Sequence, residues 1–104
     1  MEKELPNSFE ELIKTHDKPI LVDFWADWCM PCKVLSPVVE QLAKEWKGKA
    51  TVIKINTDEK QMIAMKYGIQ AIPTLILFKD GREVKRTSGA MNLNQLKSEY
   101  GSFV

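Results

Sequence analysis

The chain has 104 residues, of which 44% are hydrophobic and 28% are charged, and this size and composition are typical of a single globular domain over residues 1–104. Lys and Arg total 15 against 14 Asp and Glu, and the basic residues are spread along the chain, which argues against nucleic acid as a partner. The opening MEKELPNSF lacks the apolar centre of a secretory signal, and no apolar run is long enough to cross a membrane, so we expect a cytoplasmic protein without a membrane partner.

Alternating helices and strands are predicted for the first half of the chain. Ser8 and Glu11 form a capping signal for a helix over residues 8–16. The segment PILVDFWA at 19–26 is short and apolar on both alternating faces, which is typical of a strand covered on both sides. A stripe of apolar residues at helical spacing predicts the longest helix, which ends near Gly48 and carries Val34, Leu35, Val38, Val39, Leu42 and Trp46.

Two starting points for this longest helix compete. Ser36 and Pro37 would make a good N-cap and first helical residue, which would leave both cysteines in a loop. Val34 and Leu35, however, extend the apolar stripe backwards past Pro37. We therefore favour a helix that begins near Cys29 and is kinked at Pro37.

A second strand and a short helix follow. The segment ATVIKIN at 50–56 predicts the strand. Asp58 with Gln61 predicts the start of a short helix that closes at Gly68. The order of elements up to this point is therefore helix, strand, helix, strand, helix.

The last part of the chain predicts a hairpin and a final helix. Strands at 74–79 and 82–88 flank an Asp-Gly pair, the strongest short hairpin signal, and should be antiparallel. Asn92, with Gln95 as its capping partner, predicts the start of the last helix. The whole order predicts an α/β fold in which a mixed sheet has helices on both faces.

The two cysteines lie in the segment WADWCMPCK, at the expected start of the longest helix. Cys32 would then lie one turn beyond Cys29, with Cα atoms roughly 5 Å apart, which suits a disulfide. Pro31 between them costs no hydrogen bond, because first-turn amides lack helical partners. The Cys29 thiolate would face these amides and the positive helix end, which should lower its pKa. We expect Cys29 to be accessible and to attack a substrate disulfide, and the deeper Cys32 to resolve the mixed disulfide.

A structural disulfide and a metal site are the two alternatives to this redox pair. Closing so short a loop would add only about 2 kcal/mol of stability. A structural zinc ion needs four ligands, and His16 is the only further strong candidate in the sequence. Because the cytosol keeps thiols reduced, a lone cysteine pair there is more often redox-active or metal-binding than structural. We favour the redox pair, with no metal and no other bound cofactor.

Asp23 is a carboxylate in the middle of an apolar strand, where burial should raise its pKa. Such a group can take the proton from Cys32 when that thiol must attack. The alternative is a structural Asp that turns toward water or pairs with a cation. The strand pattern places Lys54 on the neighbouring strand as that cation.

The segments ILVDF, WADWCMPCK, KIN, AIPTLILFKDG and SGA occur in this order and resemble the thioredoxin family from about Ser8 to the C-terminus. The resemblance implies the thioredoxin fold, with four to five strands and four helices. It also implies a monomeric protein-disulfide reductase that acts on disulfide-containing target proteins and is recharged by a separate thioredoxin reductase. Because the family has matching Asp and Lys residues near its disulfide, the resemblance favours proton transfer by Asp23 with Lys54 as its charge partner.

The resemblance also assigns the substrate groove. Ile72-Pro73-Thr74 is similar to the cis-proline loop of the family, which faces the cysteines and would leave the backbone of Ile72 free to pair with an extended substrate. Gly89 and Ala90 are similar to the opposite wall of the groove, and Trp28 to its rim. The alternatives are a trans proline in a turn, a glycine that ends a strand and a tryptophan in the core. For Trp25 we favour the core.

The chain departs from the family pattern at two places. Met30, which we place with Pro31 on the substrate surface, stands where the motif usually has Gly. Since residues between the cysteines affect thiolate stability, a disulfide oxidase or isomerase is an alternative function. A binding subunit with incidental thiols is another. The second departure is the short, charged segment 1–6, where the family usually has its first edge strand.

Overall fold

The computed structural model describes the backbone of residues 5–104 and the side chains of residues 9–104. Within this part of the chain, four α-helices and four strands occur in the order α1 (Leu5–Thr15), β1 (Ile20–Trp25), α2 (Met30–Glu45), β2 (Thr51–Asn56), α3 (Gln61–Lys66), β3 (Thr74–Lys79), β4 (Arg82–Ser88) and α4 (Leu93–Tyr100). A short 3-10 turn, Gly101–Phe103, follows α4. None of the helices in the described part is long and apolar enough to cross a membrane.

The four strands form one mixed sheet in the order β2-β1-β3-β4. β1 pairs with β2 in parallel and with β3 antiparallel, and β3 pairs with β4 antiparallel. β1 therefore has a neighbour on each side, and its residues 20–24 are all buried. The predicted mixed sheet with helices on both faces is confirmed. The family's first edge strand would correspond to residues 1–6 of this chain. Residues 1–4 lie outside the described residues, and Leu5 and Pro6 belong to α1.

Two of the predicted helix starts are wrong. α1 begins at Leu5, so Ser8 lies inside the helix, and Pro6 lies in the first turn, where a missing N–H costs nothing. α3 begins at Gln61 with Lys60 as its N-cap, and no side chain caps it. The Asn56 side chain instead accepts the backbone N–H groups of residues 58 and 59. Those donors are satisfied in a turn before the helix begins.

The hairpin and the final helix form as predicted. Asp80 and Gly81 both have positive φ, 55° and 81°, as the tight turns preferred in hairpins require. Asn92 Oδ1 accepts the N–H of Gln95 at 2.8 Å, and Gln95 Oε1 accepts the N–H of Asn92 at 2.9 Å. This reciprocal capping box fixes the start of α4.

The sheet separates two hydrophobic clusters, because successive side chains of a strand point to opposite faces. α1 and α3 cover the face that contains Ile20, Val22, Phe24, Ile76 and Phe78. α2 and α4 cover the face that contains Leu21, Leu75 and Leu77, to which they contribute Leu35, Val39, Leu42, Trp46, Leu96 and Tyr100. By this alternation Asp23 lies on the same face as Leu21, under α2. The sheet thus places the carboxylate below the helix whose first turn contains the cysteines.

Candidate active site

Cys29 and Cys32 form a disulfide at the start of α2, with their Cα atoms 5.2 Å apart. Cys29 is the N-cap, and its Sγ accepts the N–H of Cys32 at 3.2 Å. Pro31 lies in the first turn and Pro37 lies inside the helix. The prediction of a helix that begins near Cys29 is confirmed, since α2 begins at Met30, and a start at Ser36 is excluded. The apolar stripe explains this, because Leu35 is fully buried against the sheet.

Both sulfur-bearing residues are buried, with exposed fractions of 4% for Cys29 and 3% for Cys32. Ala26 forms a small cluster with them, and Trp25 and Ile72 pack against it. The expectation of an accessible Cys29 is therefore wrong for the disulfide form, since these neighbours and the bonded sulfur cover it. Burial does not distinguish the two cysteines. The N-cap position of Cys29 does.

Asp23 is almost completely buried, with 1% of its surface exposed. Its Oδ1 atom has no hydrogen-bond partner among the described residues. Burial raises the pKa of this carboxyl from 3.8 to about 6, against a smaller lowering by the positive charge of Lys54. Desolvation thus dominates, because a charged carboxylate loses its hydration in the interior. The group changes its charge close to neutral pH.

Lys54 is the register partner of Asp23 across the β1–β2 pair. Its ammonium group, however, forms an ion pair of 3.0 Å with Glu40 Oε2 and also donates a hydrogen bond to Ser36 Oγ. Among the described residues, no cation lies within ion-pair distance of Asp23. Lys54 therefore acts on Asp23 through its electric field, while its direct contacts are with α2.

A cavity of about 120 Å³ connects the Asp23 carboxylate with Cys32. Its walls come from β1, the following loop, the first two turns of α2 and β2, and consist of Asp23, Trp25, Asp27, Cys32, Lys33, Ser36 and Lys54. A space of this size can hold water between polar groups. The cavity therefore offers a route for a proton between Cys32 and Asp23.

The loop before β3 also contacts the cysteine pair. The Ile72–Pro73 peptide bond is cis, and the Ile72 side chain packs against the cysteine cluster. The carbonyl of Pro73 accepts the N–H of Gly89 at 2.9 Å, which joins this loop to the end of β4. Among the hydrogen bonds of the described residues, none involves the backbone N–H or C=O of Ile72. Ala90, next to Gly89, is exposed.

Comparison with known proteins identifies the family. A family model described as thioredoxin matches residues 1–101. The chain belongs to the thioredoxin family. Among its relatives, thioredoxin of Porphyra purpurea is 44% identical over 97 residues, which are 93% of this chain and 91% of the relative. Thioredoxin of Pseudomonas aeruginosa is 47% identical over 89 residues, 86% of this chain and 82% of the relative. Thioredoxin 1 of a Nostoc strain is 46% identical over 85 residues, 82% and 79% of the two chains.

Membership of the thioredoxin family gives the cysteine pair its chemistry. Thioredoxins are protein-disulfide reductases, and Cys29 and Cys32 are close enough to open and close a disulfide. The chain is therefore a thiol-disulfide oxidoreductase, and its redox centre is this cysteine pair. Among residues 5–104 there is no group of three or more His, Cys, Asp or Glu side chains that could hold a metal ion.

Large apolar side chains surround the thioredoxin disulfide and are exposed to solvent. Trp28 is 69% exposed, and its Nε1 donates to Asp58 Oδ2 at 3.0 Å. Met30 is 66% exposed beside the cysteines, and Val34 is 62% exposed one turn further along α2. Trp25 is only half-buried and packs against the cysteines, so its assignment to the core is correct only in part. The buried disulfide thus has an apolar exposed surround.

Sequence reasoning missed three side chains of this thioredoxin site: Ser36, Glu40 and Asp58. Ser36 and Glu40 are four residues apart on a predicted helix and therefore share one face. That signal was present in the sequence, but it gave no reason to expect Lys54 to reach them. The sequence pattern places Asp58 at a helix start, and the structure instead shows it as the acceptor for the indole of Trp28.

Proposed function

We propose that the chain reduces disulfides in target proteins, with Cys29 as the nucleophile and Cys32 as the resolving thiol. The observation that carries this assignment is the position of Cys29 at the N-cap of α2, where its Sγ accepts the N–H of Cys32. In the reduced protein, a thiolate at this position gains from the unpaired amides and from the helix dipole. Cys32 lies inside the first turn and lacks this advantage.

The reaction has two exchange steps. The Cys29 thiolate attacks one sulfur of the target disulfide, and the other target sulfur leaves as a thiolate. Cys32 then loses its proton and attacks the Cys29 sulfur, and the electron pair of the mixed disulfide leaves with the second target sulfur. Two electrons have then passed to the target, and Cys29 and Cys32 are joined. A separate reductase of the thioredoxin reductase type returns two electrons, which reopens the disulfide to the Cys29 thiolate, and Cys32 regains its proton from Asp23.

Asp23 accepts the proton of Cys32 in the second step. Three observations support this role: its burial, the unpartnered Oδ1 atom, and the cavity that Asp23 and Cys32 share. A carboxyl with a pKa of about 6 is ionised at neutral pH yet is a stronger base than an exposed Asp. Lys54 is the charge partner, and its positive charge lowers the pKa of Asp23 and so offsets part of the effect of burial.

The target binds across the surface around the disulfide as an extended segment. The free backbone of Ile72 pairs with the target main chain, as in strand addition, beside Pro73. Gly89 and Ala90 form the opposite wall. The exposed surfaces of Trp28, Met30 and Pro31 contact the side chains of the target.

We infer that the protein works as a monomeric electron carrier in the cytoplasm, as one domain over residues 1–104. Its partners are disulfide-containing proteins and thioredoxin reductase. The near balance of 15 basic and 14 acidic residues supports protein partners rather than nucleic acid.

Substitution of the resolving cysteine tests the assignment. The Cys32→Ser variant should accumulate mixed disulfides between Cys29 and its targets, because the second step has lost its nucleophile. Non-reducing electrophoresis and mass spectrometry of a cell extract would identify both the bond and the targets. Cys29→Ser is the matched control and should trap far less. Trapping through Cys32 in the Cys29→Ser variant would reverse the two roles.

The direction of electron flow is tested by the reduction potential. A reductase should lie at or below the glutathione potential of the cytosol, which is about −220 to −260 mV by extraction. Equilibration with glutathione mixtures and quantification of free thiols gives the value. A potential well above this range would make the chain an oxidase or isomerase.

A further inference from the structure

Lys54 lies between two carboxylates that compete for its positive charge. The backbone register sets it opposite the buried Asp23, but its ammonium contacts the exposed Glu40 at 3.0 Å. Ser36, one turn before Glu40 on α2, also accepts a hydrogen bond from this ammonium, and its hydroxyl lies 3.5 Å from Glu40 Oε2. The three polar groups therefore form a closed cluster at the edge of the cavity that Ser36, Lys54 and Asp23 line.

We propose that Glu40, together with Ser36, is a positioning residue that holds the Lys54 ammonium away from Asp23 and so sets how strongly Asp23 binds the proton of Cys32. The proposal rests on the proton-transfer role of Asp23 proposed above. It goes beyond that role, because it assigns control of the proton acceptor to an exposed side chain on another element.

The charges around Asp23 support this inference. Lys33 of α2 and Asp27 of the loop after β1 line the same cavity, and the β3 register partner, Leu75, is apolar. Of these surroundings, burial raises the pKa of Asp23 and the charge of Lys54 lowers it. The position of the Lys54 ammonium therefore determines how far the pKa of Asp23 is lowered from the value that burial alone would give.

Glu40 is ionised at neutral pH, as this role requires. Its hydrogen bond and ion pair with Lys54 hold the pKa of the Glu40 carboxyl below its usual value. With Glu40 charged, part of the positive field of Lys54 is cancelled at Asp23. Without that charge, the ammonium keeps its hydrogen bond to Ser36 but loses its ion pair, so its positive field at the buried carboxyl is no longer offset.

The sign of the effect follows from this competition. Glu40→Gln should lower the pKa of Asp23 by roughly half a pH unit or more, because an opposite charge nearby favours the ionised form. Asp23 would become a weaker base. The acid limb of the pH profile for the resolving step should move down by the same amount.

The experiment is an NMR titration of the Asp23 side-chain carboxyl carbon in the oxidised protein. The matched control is Glu45→Gln, which removes the same charge from the same helix but from an ion pair with Lys97 of α4. It should leave the titration of Asp23 unchanged. An unchanged titration in Glu40→Gln, or an equal shift in both variants, would overturn the proposal.

A double substitution tests whether Glu40 acts through Lys54. In a Lys54→Gln background, Glu40→Gln should shift the pKa of Asp23 far less than it does alone. An undiminished shift would mean that Glu40 acts by its own long-range charge and would overturn the positioning role.

Failure of this proposal can be told apart from failure of the proposed function. The titration of Asp23 in the oxidised protein needs no turnover, so it reports on the positioning alone. An Asp23→Asn variant that resolves mixed disulfides at the normal rate would remove the proton-transfer role instead. In that case Glu40 would still shift the pKa of Asp23, but the shift would not affect the rate of the resolving step.

Discussion

Asp23 and Lys54 are register partners across two parallel strands, yet their charged groups do not form an ion pair. The ammonium of Lys54 binds Glu40, and the carboxylate of Asp23 remains buried with one oxygen unpartnered among the described residues. A buried charge without a direct partner opposes folding. The same isolation raises the pKa of Asp23 and makes it a proton acceptor near neutral pH. The buried carboxylate therefore lowers the stability of the folded protein and at the same time increases its own basicity.

Asp23→Asn should stabilise the oxidised protein at pH 8 by roughly 3 kcal/mol, the free energy that corresponds to a pKa moved from 3.8 to about 6. Because the pKa is raised on folding, the folded state binds the proton more tightly. Wild-type stability therefore falls as the pH rises from 3.8 to about 6, and the full penalty persists above that window.

Urea unfolding of both proteins at pH 8 and near pH 3 measures this effect. The stabilisation should shrink at the lower pH, where the wild-type carboxyl is protonated in both states. An equal gain at the two pH values would contradict the electrostatic cause.

Asp23→Asn should also slow the resolving step at pH 7 by about 100-fold, a typical loss when a general base is removed. The wild-type rate should fall as the pH drops through about 6, and the variant should lack this dependence. Release of a chromophoric thiol from a preformed mixed disulfide on Cys29 measures the step. The exposed Asp17 serves as control, and Asp17→Asn should behave as wild type.

Met30→Gln should weaken the reduction of a peptide disulfide flanked by apolar residues, because Met30 offers an exposed apolar surface beside the cysteines. Loss of about 1 kcal/mol of apolar contact corresponds to roughly a fivefold fall in kcat/KM. Met62 is a matched control, since it is 80% exposed on α3. Met62→Gln should have no effect, and equal losses in the two variants would remove Met30 from the contact surface.

Tyr100→Phe should lower the free energy of unfolding by about 1–3 kcal/mol, because it removes two hydrogen bonds of a buried hydroxyl. The Tyr100 hydroxyl donates to the carbonyl of Leu75 at 3.1 Å and lies 2.5 Å from Thr87 Oγ1. Chemical denaturation measures the loss, and reductase activity should persist. Tyr67→Phe should cost less, since the hydroxyl of Tyr67 binds the half-buried Glu10.

Local signals in the sequence predicted the features that depend on neighbouring residues. The capping box of Asn92 and Gln95 and the turn at Asp80-Gly81 form because each is satisfied within a few residues. Two signals compete for the start of α2, and the longer apolar stripe predicts the observed N-cap at Cys29 where the local cap signal favours Ser36. That stripe succeeded because burial of several apolar side chains outweighs one cap.

The features that sequence reasoning missed depend on distant parts of the chain. Lys54 pairs with Glu40 because α2 crosses over β2, and the spacing of the two residues in sequence does not reveal that approach. Asp58 resembled a helix cap until the fold brought the Trp28 indole to it. The low exposure of Cys29 likewise depends on Ile72, which is distant in sequence and packs against the cysteines from the loop before β3.

Pro37 has a mechanical consequence for α2. It lacks an N–H, so the carbonyl of Lys33 has no helical donor at that level. Before it lie the two turns that contain the cysteines, and beyond it Val39, Leu42 and Trp46 anchor the helix in the hydrophobic cluster. The leading turns, which contain the disulfide, are therefore tied to the rest of α2 by one backbone hydrogen bond fewer, whereas the remainder is held by its buried apolar side chains.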